Sequence, residues 1–272
     1  MRAEIHEPAQ WADGRETLPC LGPEFSARQG QDLLCGLCAR RLVGGQARDR
    51  ASTPVITGLE QRLRLGQVLY VAGRRSDAIF VMRKGLAKEV LETGGTRRVV
   101  RLVGPGAATG LAALAGQSHR HTAVVIGAGL ACRIPLASVE QWSARDRAVS
   151  ARMGRLWQDA LDDADRLMAS YGNGPAGARL ARFVLFLAQT LGPGARLCRR
   201  EAAELLGVTP VSVTRLVGDL KRRGLIREEG LSLSAWDEPG LRALAGEGES
   251  GPSTVMPQPA VSVARSSVQP FG

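Results

Sequence analysis

Three of the five cysteines carry most of the chemistry this sequence offers: Cys20, Cys35 and Cys38. Cys35 and Cys38 form a C-x2-C pair, a spacing at which two thiolates can share one metal or act as a redox couple, and Cys20 lies in the same segment. Five cysteines in 272 residues are too few for a disulfide framework, so the cluster points to metal or redox chemistry. His119 and His121 form a His-x-His, but a cupin-type metalloenzyme needs a further histidine and a carboxylate on neighbouring strands, and His6 is the only other histidine. No catalytic residues are expected, and the two histidines are expected to be exposed in a loop.

A second constellation lies near the C-terminal end. Arg199 to Gly207 reads as a short helix with Ala202, Ala203, Leu205 and Leu206 on its apolar side and a glycine able to take the left-handed cap. Thr209 and Pro210 then supply an N-cap and a first-turn proline for a second helix, Val211 to Arg222. That is helix-turn-helix spacing. Val213, Leu216, Val217 and Leu220 would be buried, so Val211, Ser212, Thr214 and Arg215 project where a recognition helix meets base edges. Arg215 suits guanine O6 and N7, Thr214 and Val211 suit a thymine methyl, and Lys221, Arg222 and Arg227 suit phosphates. LIREEGLSLS reads as two short strands, a wing.

The elements that must position these groups follow from periodicity. Short apolar runs separated by glycine turns (68–73, 78–85, 86–95, 96–106, 122–129 and 130–136) predict an antiparallel sandwich or barrel. Arg83, Lys84, Lys88 and Arg101, scattered along those strands, are expected to be solvated. Val149, Met153, Leu156, Ala160, Ala164, Leu167 and Tyr171 recur at helical steps and predict a helix of about seven turns with an interchain seam along that stripe. YGNGPAG (171–177) breaks it as a hinge. The chain thus divides into a cysteine-containing arm (1–54), a β-roll (55–140), a long helix (141–172), a winged helix-turn-helix (173–245) and a Pro-, Ser- and Gly-rich tail (246–272) expected to be disordered. The net charge of +10 favours a polyanionic partner. No apolar window reaches spanning length and the N-terminus lacks a signal-peptide core, so a cytoplasmic protein with no membrane partner is expected.

Over roughly residues 55–245 the chain resembles the CRP/FNR family of bacterial transcription regulators. The resemblance rests on Gly66, Gly73, Gly85, Gly104, Gly106 and Gly110, the CRIPL run, the long helix, and AELLGVTPVSVTRLVGDLKRRGLI. It implies an α+β fold: an antiparallel β-roll resembling the cyclic-nucleotide-binding jelly roll, a dimerisation helix and a C-terminal winged helix-turn-helix. It also implies double-stranded DNA with an inverted-repeat operator, RNA polymerase and a second copy of the chain as partners.

Three motifs place the chain within the family. Cyclic-nucleotide-binding members carry a ribose-binding glutamate and a phosphate-binding Arg-Ser, but Gly110-Leu111-Ala112 and His121-Thr122 stand in those places, so cAMP is not the expected effector. The iron-sulfur branch resembling FNR holds a [4Fe-4S] cluster on three arm cysteines and a fourth at the end of the roll. By that resemblance Cys20, Cys35, Cys38 and Cys132 are the ligands of an oxygen- or redox-labile switch, although the wide Cys20–Cys35 spacing departs from the family pattern. A small-molecule effector in the roll, or a thiol or zinc switch, is the alternative. In the recognition helix Val211 replaces the FNR-type glutamate, a wording closer to the nitrogen-regulator (NtcA) branch, which predicts a different inner base in the half-site.

Overall fold

The computed structural model describes residues 59–144 and 147–246. Cys20, Cys35 and Cys38, and the tail from residue 247, lie outside the described residues.

Eight strands and six α-helices are present among them. Strands β1 (Leu59–Leu63), β2 (Val68–Tyr70), β3 (Ala78–Thr93), β4 (Thr96–Val103), β5 (Ala108–Thr109) and β6 (Thr122–Pro135) form one antiparallel sheet in the order β1-β6-β3-β4, with β2 added to β6 and β5 to β3. A 3-10 helix, Leu111–Ala115, follows β5. Helices α1 (Leu136–Ser143) and α2 (Arg147–Gly172) lead to α3 (Ala176–Leu191), α4 (Arg199–Leu206) and α5 (Pro210–Arg222). The hairpin β7 (Ile226–Glu229) and β8 (Ser232–Trp236) precedes α6 (Glu238–Ala245).

Four of the short runs expected from the sequence merge into two long strands, β3 and β6. Gly85 does not turn the chain: its φ of +86° and the 2.5 Å gap that a Cβ would leave to the Gly127 carbonyl mark a close backbone crossing. The β3/β6 register shifts around this point. The strand continues through the kink with its faces exchanged. Before it, Ile79 and Val81 face the helices and Phe80 and Met82 the roll interior; after it, Leu86 takes the helix side and Ala87 the interior.

Both faces of β3 are therefore covered, which is why it reads as a nearly continuous apolar run. The helix of about seven turns expected from the stripe is α2, Arg147–Gly172, and the shorter α1 precedes it.

The apolar stripe of α2 also differs from expectation. Met153 and Leu156 are buried inside this chain against Ile79, Val81, Cys132 and Val139, and Leu167 and Tyr171 are buried in the cluster shared with the C-terminal domain. Ala160 packs partly against the first of these clusters and Ala164 is half-buried; the side chain of Val149 is outside the described set. The large apolar side chains that α2 leaves exposed are Trp157, Leu161 and Met168, at 42, 60 and 67%. The stripe read as a seam thus packs within its own chain, against the roll at Met153 and Leu156 and in the cluster shared with the C-terminal domain at Leu167 and Tyr171.

Candidate functional site

The recognition helix is assembled by local signals. Gly207 ends α4 in the left-handed conformation (φ 66°), and the Thr209 hydroxyl accepts from Ser212 N at 3.1 Å to start α5, with Pro210 in its first turn. Val213, Val217 and Leu220 are buried, whereas Val211 is 61% exposed and Thr214 and Arg215 are exposed beside it. Ser212 is half-buried, and its Oγ lies 2.9 Å from the Thr209 hydroxyl. Thr214 Oγ1 donates back to Pro210 O at 3.0 Å, which commits its hydroxyl to the helix. Arg215 makes no ion pair among the described residues.

Lys221 and Arg222, expected at phosphates, are engaged within the domain. Lys221 Nζ lies 2.6 Å from Glu228 Oε2, and Arg222 pairs with Asp219. The Glu228 side chain is fully buried and also receives Arg199 bidentately, at 2.8 and 2.7 Å. Burial alone would raise its pKa, but Arg199 and Lys221 hold it below the ordinary carboxylate value. This three-residue knot ties α4, α5 and the wing together. Arg223 and Arg227 remain exposed.

Helix α6 was not expected from the sequence, although Asp237 caps it by accepting from Gly240 N, Pro239 lies in its first turn and Gly246 closes it. It packs on α3. Two arginines on α3 bolt the hinge: Arg179 Nη1 donates to Leu206 O at 2.6 Å and Tyr171 O at 3.2 Å, and Arg182 reaches Ser170 O and Ala245 O at 2.9 and 2.7 Å. They bind carbonyls at the C-terminal ends of α2, α4 and α6, where cations are favoured.

The roll interior holds a buried polar network that sequence reasoning missed. Lys88 and Arg101, expected in solvent, are 5 and 4% exposed. Glu89 accepts from Tyr70 Oη (2.9 Å), Thr109 Oγ1 (2.5 Å) and Arg101 Nη1 (3.3 Å), and His121 Nδ1 lies 3.7 Å from its other oxygen. Burial and the Glu89 charge push the Tyr70 phenol far above its ordinary value, so it remains a donor. His119 is also buried rather than exposed: it stacks on Tyr70 at 3.9 Å, and burial lowers its pKa and keeps it neutral near pH 7. Its Nε2 has no partner among the described residues.

At the place of the nucleotide-binding glutamate, Leu111 opens the 3-10 helix and is buried. Cys132, on β6, sits with Met153, Leu156 and Val139 on the helix side of the sheet and is 8% exposed. Its register partner across the sheet is Glu60, one residue after the described chain begins. Among the described residues no group of three or more His, Cys, Asp or Glu could hold a metal. None of the described helices is long and apolar enough to cross a membrane.

Comparison with known proteins fits this architecture. Residues 60–146 match the cyclic nucleotide-binding domain and residues 178–244 the Crp-like helix-turn-helix domain. The transcriptional regulatory protein Btr of Bordetella pertussis is 29% identical over 195 residues, 68% of this chain and 81% of Btr. The transcriptional activator protein FnrA of Stutzerimonas stutzeri is 24% identical over 222 residues, 78% of this chain and 90% of its own. A CRP-family transcriptional regulator from Thermus thermophilus, of known structure, superposes with a TM-score of 0.60 at 26% identity, over 68% of this chain and 96% of that one.

Proposed function

Because the chain belongs to the CRP/FNR family of transcription regulators, which are not enzymes, we propose that it is a dimeric regulator whose operator binding is controlled by a [4Fe-4S] cluster on Cys20, Cys35, Cys38 and Cys132. The observation that supports this reading is the register of β1 on β6: Glu60 lies opposite Cys132, so the described chain begins beside the fourth thiol. Cys132 also sits among Met153, Leu156 and Val139, at the base of the long helix. Thiolates on both sides of that junction are the donor set such a cluster needs. When bound, the cluster would supply an oxidant-labile tie between the arm and the helix base. Val211, Thr214 and Arg215 read the major groove, and Lys221, Arg222, Arg223 and Arg227 serve the phosphates.

The second copy pairs along Trp157, Leu161 and Met168, with Ala164 between them, a 4-3-4 spacing of the kind that builds a two-helix seam. This replaces the stripe through Met153, Leu156, Leu167 and Tyr171. RNA polymerase is the further partner of this reading, and the protein works in the cytoplasm.

The test is iron and acid-labile sulfide in protein purified without oxygen, followed by its visible spectrum on adding air. About four of each per chain, bleaching in air and absent from Cys132→Ser, is the expected result. Protein that takes up neither after anaerobic reconstitution overturns the cluster. A second reading is favoured by the unpartnered Nε2 of His119 beside Glu89 and His121: a small-molecule effector held in the roll.

A further inference from the structure

The helix-turn-helix is fastened to the roll on the side away from its recognition residues. Lys88, on β3, donates from Nζ to Glu204 Oε2 on α4 at 2.6 Å, across 116 residues of chain, and the two side chains are 6 and 10% exposed. Arg97 and Arg200 flank the same carboxylate at 3.7 and 3.5 Å. One turn earlier on α4, Glu201 is raised above the ordinary carboxylate value by burial, with Lys88 opposing the rise. The Arg98 guanidinium lies against Gly207 in the helix-turn-helix turn, where any side chain would collide with it. Leu191 closes on Gly127 in the same way, and Leu86, Val99 and Ile126 of the roll share one core with the C-terminal domain.

An ion pair buried at the rim of an apolar contact adds little stability over an apolar pair, but it makes misalignment costly. A slide of α4 along β3 and β4 would leave Lys88 or Glu204 charged, dehydrated and alone. Val211, Thr214 and Arg215 stay exposed in this arrangement, so the contact leaves the reading face free.

We propose that Lys88 and Glu204 are positioning residues for DNA binding: they pre-set the angle of the helix-turn-helix against the roll, so that both recognition helices of a dimer reach their half-sites together. This rests on the reading of the protein as a dimeric DNA-binding regulator. A domain already oriented loses less freedom when the second half-site is engaged. A single half-site gains nothing from that orientation.

The experiment uses the full chain and two duplexes: the inverted repeat that the parent protein selects from a random DNA pool, and the same duplex with one half scrambled. Lys88→Met is expected to bind the inverted repeat about tenfold more weakly, to bind the half-site as the parent does, and to remain dimeric by sedimentation. Lys88→Arg should restore the affinity. Arg98→Ser, at an exposed position on the same contact, should show a smaller loss of the same kind and serves if Lys88→Met does not fold. Parental affinity of the variants for the inverted repeat, or equal losses on both duplexes, overturns the proposal while leaving the regulator reading intact. A parent that selects no DNA sequence removes both.

Discussion

Arg101 reaches from inside the roll to Asp163 in the middle of the long helix, with Nε and Nη2 3.2 and 3.1 Å from the same carboxylate oxygen. The same guanidinium holds Glu89 at 3.3 Å and the Ala108 carbonyl at 2.8 Å. One cation therefore joins the buried network of the roll to the helix that leads to the DNA-binding domain.

Removing that cation should be costly. Arg101→Leu leaves Glu89 buried with its charge uncompensated, and a loss of about 3 kcal/mol in urea unfolding is expected. The double variant Arg101→Leu/Glu89→Gln should recover a large part of it, since the stranded charge is then gone. Additive losses in the two single variants would show that the two side chains do not interact.

Acid should loosen the winged helix-turn-helix through Glu228. Its folded pKa lies below its unfolded value of about 4.5, so its contribution is complete above pH 4.5 and disappears as the pH falls through the folded value. Circular dichroism melts from pH 7 to 3 should show a fall in stability that Glu228→Gln, already less stable at pH 7, does not repeat.

The exposed face of α2 and its buried face should respond to different measurements. Leu161→Glu and Met168→Glu are expected to shift the protein to monomer in sedimentation with helix content unchanged. Leu156→Ala should cost about 2–5 kcal/mol in unfolding, the usual range for a truncated core leucine. If Leu156→Ala splits the dimer at parental stability, the seam lies on the other stripe.

On DNA, Arg215→Ala should weaken the selected operator by about 1–3 kcal/mol and relax preference at one base pair. Arg223→Ala should weaken all duplexes alike and reduce the slope of log affinity against log salt by about one. A uniform loss for Arg215→Ala would make it a phosphate contact.

The DNA-binding helices were legible because their signals are local. Gly207, Thr209 and Pro210 act within a turn of themselves, and the wing follows from one glycine turn between short strands. The α6 signal, Asp237, Pro239 and Gly246, is equally local. The β-rich character of the N-terminal part was legible too, but not the continuity of β3 and β6: a glycine that permits a turn and one that permits two backbones to cross are the same residue in a sequence.

The sequence by itself determined the β-rich character of the first part, the faces of the helix-turn-helix and the presence of a long amphipathic helix, because hydrophobic period and capping residues act over a few positions. Only the tertiary structure decided which stripe of α2 turns inward, and that Lys88, Glu89 and Arg101 are buried rather than solvated. Periodicity identifies an apolar face but not the surface that will cover it. A charged residue can be buried only where its partner arrives, and here Glu204 and Asp163 arrive from 116 and 62 residues away.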